Sequence, residues 1–173
     1  MPDPAELVRE QSHRLPRTCY RGEVAVAFTA RLTTGSEPLA RPEMVRAMET
    51  ALAASARRHT CIVPLYCFMP DHIHLILQGM DGSADTWAAM TAFKQRSGFW
   101  FARHRLRMRW QKDFYDHVLR SEKEVRDALA YIAANPLRAG LVRDPAEYPC
   151  TGSIGHEPAG SRDRCGPAYD DAG

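Results

Sequence analysis

Two apolar runs of strand length, Cys61 to Met69 and His72 to Gln78, are separated by little more than the turn-prone dipeptide Pro70-Asp71. A break this short joins neighbouring antiparallel strands, so the segment predicts a β-hairpin around which the rest of the chain must arrange itself. The second run, "DHIHLIL", carries two histidines one residue apart. Side chains alternate along a strand, so His72 and His74 share one face while Ile73 and Leu75 point to the other.

The flanking segments supply the other elements. Val24 to Leu32, rich in β-branched and small residues and closed by "TTGSEP", predicts a strand. Pro42 stands where a first-turn proline belongs, and Val45, Met48 and Leu52 recur at helical spacing, predicting a helix from Pro42 to His59. A second helix is expected over Asp85 to Arg103, with Gly98 as its weak point. Phe114 to Arg120 is the length of a strand, and Ser121 to Glu124 form a capping box that opens a third helix. Val125, Ala128, Leu129 and Ile132 give that helix its apolar stripe, and Pro136 is expected to end it. The order β-α-β-β-α-β plus a helix predicts an α+β, ferredoxin-like split antiparallel sheet with an added C-terminal helix. One domain over residues 1–150 accommodates all of it, and the Gly-, Pro- and charge-rich residues 151–173 are expected to be a disordered tail.

No uninterrupted apolar run of membrane-spanning length occurs, and the N-terminus lacks the basic-then-apolar layout of a signal peptide. The five cysteines are scattered, with no C-x-x-C pair. These features predict a cytoplasmic protein without a membrane partner, a disulfide framework or a zinc knuckle.

The formal net charge is only +2, but it is unevenly spread. Lys94, Arg96, Arg103, Arg105, Arg107, Arg109 and Lys112 fall within nineteen residues that contain no acid. Such a local field attracts polyanions. Trp100 and Trp110 interleave with it and offer faces for unstacked bases, and Arg14, Arg17 and Arg21 form a second, smaller patch. The expected nucleic-acid contacts are Arg14, Arg17, Lys94, Arg96, Arg103, Arg105, Arg107, Arg109 and Trp110. The same pattern also fits a solvated face of alternate arginines, with Phe99, Trp100 and Phe101 as core.

Two imidazoles side by side are half of a metal site, although each could equally pack or hydrogen-bond by itself. A second constellation bears on the choice. Tyr131 and Asn135 stand four residues apart on the third helix, so at about 100° per residue their side chains leave the axis about 40° apart, one turn above the other. Both lie at one margin of the apolar stripe. An edge-of-core aromatic and a helix C-cap would explain them separately. Together with the histidines they make three neutral ligands beside a phenol that could act as a nucleophile.

The segments "YCFMPDHIHLIL" (66–77), "WQKDFYDHVLRSEKEVRDALAYIAANPLRAGLV" (110–142) and, more loosely, "VAVAFTARL" (24–32) resemble the HUH single-tyrosine transposases of the insertion-sequence-200-like superfamily, and most closely its REP-associated tyrosine branch. The ordered pair of an H-x-H strand and a Y-x-x-x-N-P helix is far more selective than either part. The resemblance implies metal ligands His72, His74 and Asn135 for a divalent ion, Mg²⁺ or Mn²⁺, and a nucleophile in Tyr131. It implies a DNA transposase that cleaves and rejoins single-stranded DNA near hairpins, such as repetitive extragenic palindromes, through a 5′-phosphotyrosine, acting as a monomer or homodimer. The alternative is a non-catalytic ferredoxin-like nucleic-acid-binding module, in which the histidines are structural.

Overall fold

Residues 15–36 and 38–155 are described by the structure, a computed structural model. In chain order they form strand β1 (Ala25–Arg31), helix α1 (Pro42–Arg58), strands β2 (Cys61–Phe68) and β3 (His72–Gly79), helix α2 (Thr86–Arg103), strand β4 (Tyr115–Leu119), helix α3 (Glu122–Arg138) and strand β5 (Thr151–Ile154). Pro70 and Asp71 make the turn between β2 and β3, closed by the Met69 N–H donating to the His72 carbonyl at 2.8 Å. The strands form one sheet in the order β4-β1-β3-β2-β5, every neighbouring pair antiparallel. The first four have the predicted ferredoxin-like arrangement, which leaves β3 central and its two histidines flanked by paired strands.

Both faces of the sheet are covered. Val26, Phe28, Ala30, Ile73, Leu75 and Leu77 point to one side, where α1 brings Met44, Met48 and Leu52 and α2 brings Met90, Phe93 and Phe101 into a single core. The opposite side carries a smaller cluster, in which Cys67, Ile76 and Leu119 of the sheet meet Ala128 and Ile132 of α3. Strand alternation assigns each residue its side. His72 and His74 therefore lie on the α3 side, beside Ile76.

The helix starts follow local chemistry. Arg41 is extended before Pro42, the Asp85 side chain accepts from the Ala88 N–H at 2.8 Å, and the Ser121 hydroxyl accepts from the Glu124 N–H at 3.2 Å. The Glu124 carboxylate reaches back one residue past the cap and accepts from the Arg120 N–H at 3.0 Å. Helix α2 runs through Gly98 without a break.

Two expectations are corrected. Pro136 does not end α3, which continues to Arg138 with the proline buried inside it. The stop is Gly140, at φ +69°. Its N–H bonds the Leu137 carbonyl and the next N–H, of Leu141, bonds that of Pro136, the double closure that a left-handed glycine permits. A proline this near the end forfeits one ladder bond only, so the closure outweighs it. The second correction concerns the boundary at residue 150. Thr151–Ile154 pair with β2 as an edge strand, and the Cβ of any larger residue at position 152 would run into the Tyr66 ring. A four-residue strand containing glycine leaves no alternation to read. The N-terminal residues with Arg14, and the tail from 156, lie outside the described residues.

Among the described residues no helix is long and apolar enough to cross a membrane, and Cys19, Cys61, Cys67 and Cys150 are free thiols.

Candidate active site

Register decides what surrounds the histidines. In the β1–β3 ladder Thr29 lies opposite His74 and Arg31 opposite His72, so all four side chains share the α3 face. The Thr29 hydroxyl is 2.8 Å from His74 Nδ1. His72 Nδ1 is 2.6 Å from Oδ1 of Asp71, whose other oxygen faces Arg31 Nη1 at 3.5 Å. With both Nδ1 atoms engaged, the two Nε2 atoms are turned toward each other, 3.0 Å apart.

This arrangement fits a cation. The Asp71 carboxylate takes the Nδ1–H of His72 and leaves a lone pair on Nε2, and Thr29 can accept the Nδ1–H of His74 with the same result. Two ligand nitrogens at right angles around one ion, each bonded at about 2.1 Å, stand about 3.0 Å apart. Burial pushes the His74 imidazole down to about 3, with the neighbouring His72 and Arg31 adding to it, and pushes His72 down as well, against the opposing pull of Asp71. Both rings are therefore neutral at physiological pH, the form that binds metal.

The depressed values carry a stability consequence. The unfolded chain protonates these rings near 6.5, above the folded protein, so the fold loses stability as pH falls from 6.5 toward 3. For His74 alone the loss is about 2 kcal/mol by pH 5, at about 1.4 kcal/mol per pH unit. Urea unfolding in EDTA at pH 7 and pH 5 measures it; His74→Gln should flatten the difference.

From the other side, α3 delivers Tyr131. Its ring approaches that of His74 edge-on, with centroids 6.0 Å apart and planes at 83°. The phenol packs at the rim of the smaller apolar cluster and stays partly exposed. Asn135 is not the helix cap. It sits one turn after Tyr131 within α3, and its Nδ2 donates to the Tyr131 carbonyl at 3.0 Å, which leaves Oδ1, the atom a cation would use, without a partner among the described residues. No group of three or more His, Cys, Asp and Glu side chains suited to a metal occurs among the described residues.

The basic segment divides. Arg103, Arg105, Arg107 and Arg109 are exposed at the end of α2 and in the loop after it. That loop is stitched to the end of β1, the Thr33 N–H donating to the Arg109 carbonyl and the Gln111 N–H to that of Arg31, each at 2.8 Å. The arginines thus run toward the strand end that carries the cross-strand partner of His72. Arg31, Thr33, Ser36, Asp71 and Gln111 line a cleft of about 350 Å³ there.

Three expected contacts are otherwise employed. Trp110 is buried, its ring against Phe93 and Phe101 and its Nε1–H donating to Ser97 Oγ at 2.8 Å, so it has no face to offer a base. Lys94 donates to the carbonyls of Gln111, Lys112 and Asp113 and ties the loop to α2. Arg17 pairs with Asp85 and lies over the Trp87 ring. Phe99, which the alternative reading of the basic segment placed in the core, is 68% exposed between Arg96 and Arg103 on one stripe of α2. The i, i+3, i+7 spacing of that stripe is the signal that could have found it.

Sequence reasoning also missed Thr29, which only the register brings to His74, and treated Asp71 as a turn carboxylate, although its adjacency to His72 was visible.

A REP-associated tyrosine transposase of Escherichia coli (strain K12) is 30% identical over 85 residues, 47% of each chain. A Haemophilus influenzae (strain Rd) protein assigned provisionally to the same group is 30% identical over 95 residues, 48% of this chain and 53% of its own. The chain spans about half the length of the curated relatives it matches. A solved structure of a REP-associated tyrosine transposase bound to a REP hairpin superposes with a TM-score of 0.68, covering 81% of both chains at 22% identity, which shows a common fold. The family model described as "Transposase IS200 like" matches residues 32–135, more than half of the chain, in a single stretch that takes in the β3 histidines as well as Tyr131 and Asn135. The chain belongs to the IS200-like transposase family.

Proposed function

We propose that the protein is a metal-dependent DNA strand transferase that cuts single-stranded DNA beside a hairpin and holds the cut end on Tyr131. The observation that carries this reading is the meeting, within one chain, of two Nε2 atoms turned toward each other at 3.0 Å and a phenol ring 6.0 Å from the second imidazole. The hairpin enters from the solved relative, which is bound to one. Repetitive extragenic palindromes are the natural candidates, and the exposed arginines from Arg96 to Arg109 would bind their phosphates. As all the groups come from one chain, a monomer suffices, acting in the cytoplasm.

His72 and His74 through Nε2, and Asn135 through Oδ1, would hold a divalent cation, Mg²⁺ or Mn²⁺. When bound, it neutralises the phosphate and polarises the phosphorus. Tyr131 Oη attacks that phosphorus in line and its proton passes to water. The Oη–P bond forms as the bond from phosphorus to the 3′-oxygen breaks, and the leaving oxygen takes a proton from solvent. The product is a 5′-phosphotyrosine with a free 3′-hydroxyl. Attack by another 3′-hydroxyl reverses the step, rejoining strands without a nucleotide cofactor because the bond energy is kept in the ester. Asp71 and Thr29 keep the two imidazoles neutral, with the proton on Nδ1 and the lone pair on Nε2.

The test is to incubate the protein with 5′- and 3′-labelled single strands containing a hairpin, with Mn²⁺ or with EDTA, and resolve the products on a denaturing gel. A protease-sensitive adduct that forms only with metal is expected. Hairpin binding with no adduct in either condition would instead identify a nucleic-acid-binding module.

A further inference from the structure

Arg138 follows Tyr131 by seven residues on α3, and at about 100° per residue it returns to within about 20° of the same direction, two turns on. Its guanidinium carbon lies over the Tyr131 ring, 4.8 Å from the centroid. Several other arginines have a carboxylate: Arg17 and Arg21 share Asp85, Arg31 faces Asp71, and Arg126 faces Glu122. The acids of α3 are themselves spoken for, Glu124 by the Arg120 N–H and Asp127 by Lys123. Arg138 has no ion pair among the described residues. An exposed cation over an aromatic ring contributes little to stability. What it does here is keep an unneutralised, always-protonated guanidinium on the nucleophile's own helix.

We infer that Arg138 is a further catalytic residue of this site: its guanidinium rests on the Tyr131 ring in the free protein and pairs with the non-bridging oxygens of the phosphate that Tyr131 attacks. The inference rests on the reading of Tyr131 as the nucleophile. During in-line attack negative charge stays on those oxygens, and the two parallel N–H groups of a guanidinium match their spacing as an ammonium cannot. Rotation about the terminal torsions of the exposed side chain carries the group from ring to phosphate. Arg138 keeps its proton throughout, so the bond changes are those given above.

Single-turnover adduct formation on two hairpin-containing strands tests it, one with an ordinary phosphate at the cut site and one with a methylphosphonate, in which a methyl group replaces a charged oxygen. On the phosphate, Arg138→Ala should be slower by roughly 10²-fold, with hairpin affinity within about threefold of wild type. On the neutral methylphosphonate the two proteins should differ by less than about threefold, as the charge that Arg138 answers is gone. Arg138→Lys should fall between, and added guanidinium ion should restore at least about tenfold to Arg138→Ala on the phosphate. Equal losses on both substrates, or no loss on the phosphate, would overturn the inference while leaving Tyr131 as nucleophile. Failure of the wild-type protein to form any adduct would overturn both.

Discussion

Tyr131→Phe should form no covalent adduct with hairpin DNA under conditions where the unmodified protein forms one, while its hairpin affinity stays within about threefold. The substitution removes a single atom, Oη. The ring that meets His74 edge-on and lies under Arg138 is kept, as is its packing beside Ile132 on the rim of the smaller cluster. No hydrogen-bond partner of the hydroxyl is found among the described residues, so its loss strands no buried donor or acceptor, and stability should change by less than about 0.5 kcal/mol. The surface proposed to bind the hairpin, the exposed arginines of α2 and its loop, is not touched by the change. Loss of chemistry with retention of binding would separate nucleophile from scaffold, and an adduct in this variant would place the nucleophile elsewhere.

His74→Ala should reduce adduct formation by on the order of 10³-fold, about 4 kcal/mol of transition-state stabilisation, the scale expected when a cation at a phosphate loses a ligand. The same variant should bind Mn²⁺ more weakly by electron paramagnetic resonance, a readout independent of turnover. Folding should suffer less. His74 is only partly buried, and its hydrogen bond to Thr29 is the one on the far side of the ring. Removing it costs about 1 kcal/mol, offset in part because a buried neutral imidazole no longer has to be kept unprotonated. Unchanged adduct formation with weakened Mn²⁺ binding would detach the metal from the chemistry.

How much of this was legible in the sequence depends on whether a residue's neighbours are near in the chain. The β2–β3 hairpin, the capping box at Ser121 and the common face of His72 and His74 all follow from spacings of one to four residues, and the structure has them as expected. The ferredoxin-like order was likewise readable, because each of its elements announced itself locally, by period, cap or length. What escaped depends on contacts between distant segments. Thr29 reaches His74 only through the register of two strands 45 residues apart. Trp110, an aromatic among arginines, is core because the loop that carries it packs on α2, which its neighbours in the chain do not announce. Lys94 looked like its basic neighbours until three loop carbonyls claimed it. Pro136 gave a true local signal that a stronger one, Gly140 four residues later, overrode.

The claim on which the rest depends is that one chain supplies both the histidine pair and the phenol. Mixing Tyr131→Phe with His74→Ala tests it, as each variant keeps what the other lacks. With the unmodified protein forming adduct in parallel, the mixture should remain as inactive as either variant alone, since no single chain in it holds both groups. Restoration of adduct in the mixture would mean that the tyrosine of one copy serves the histidines of another, and would contradict a site assembled within one chain.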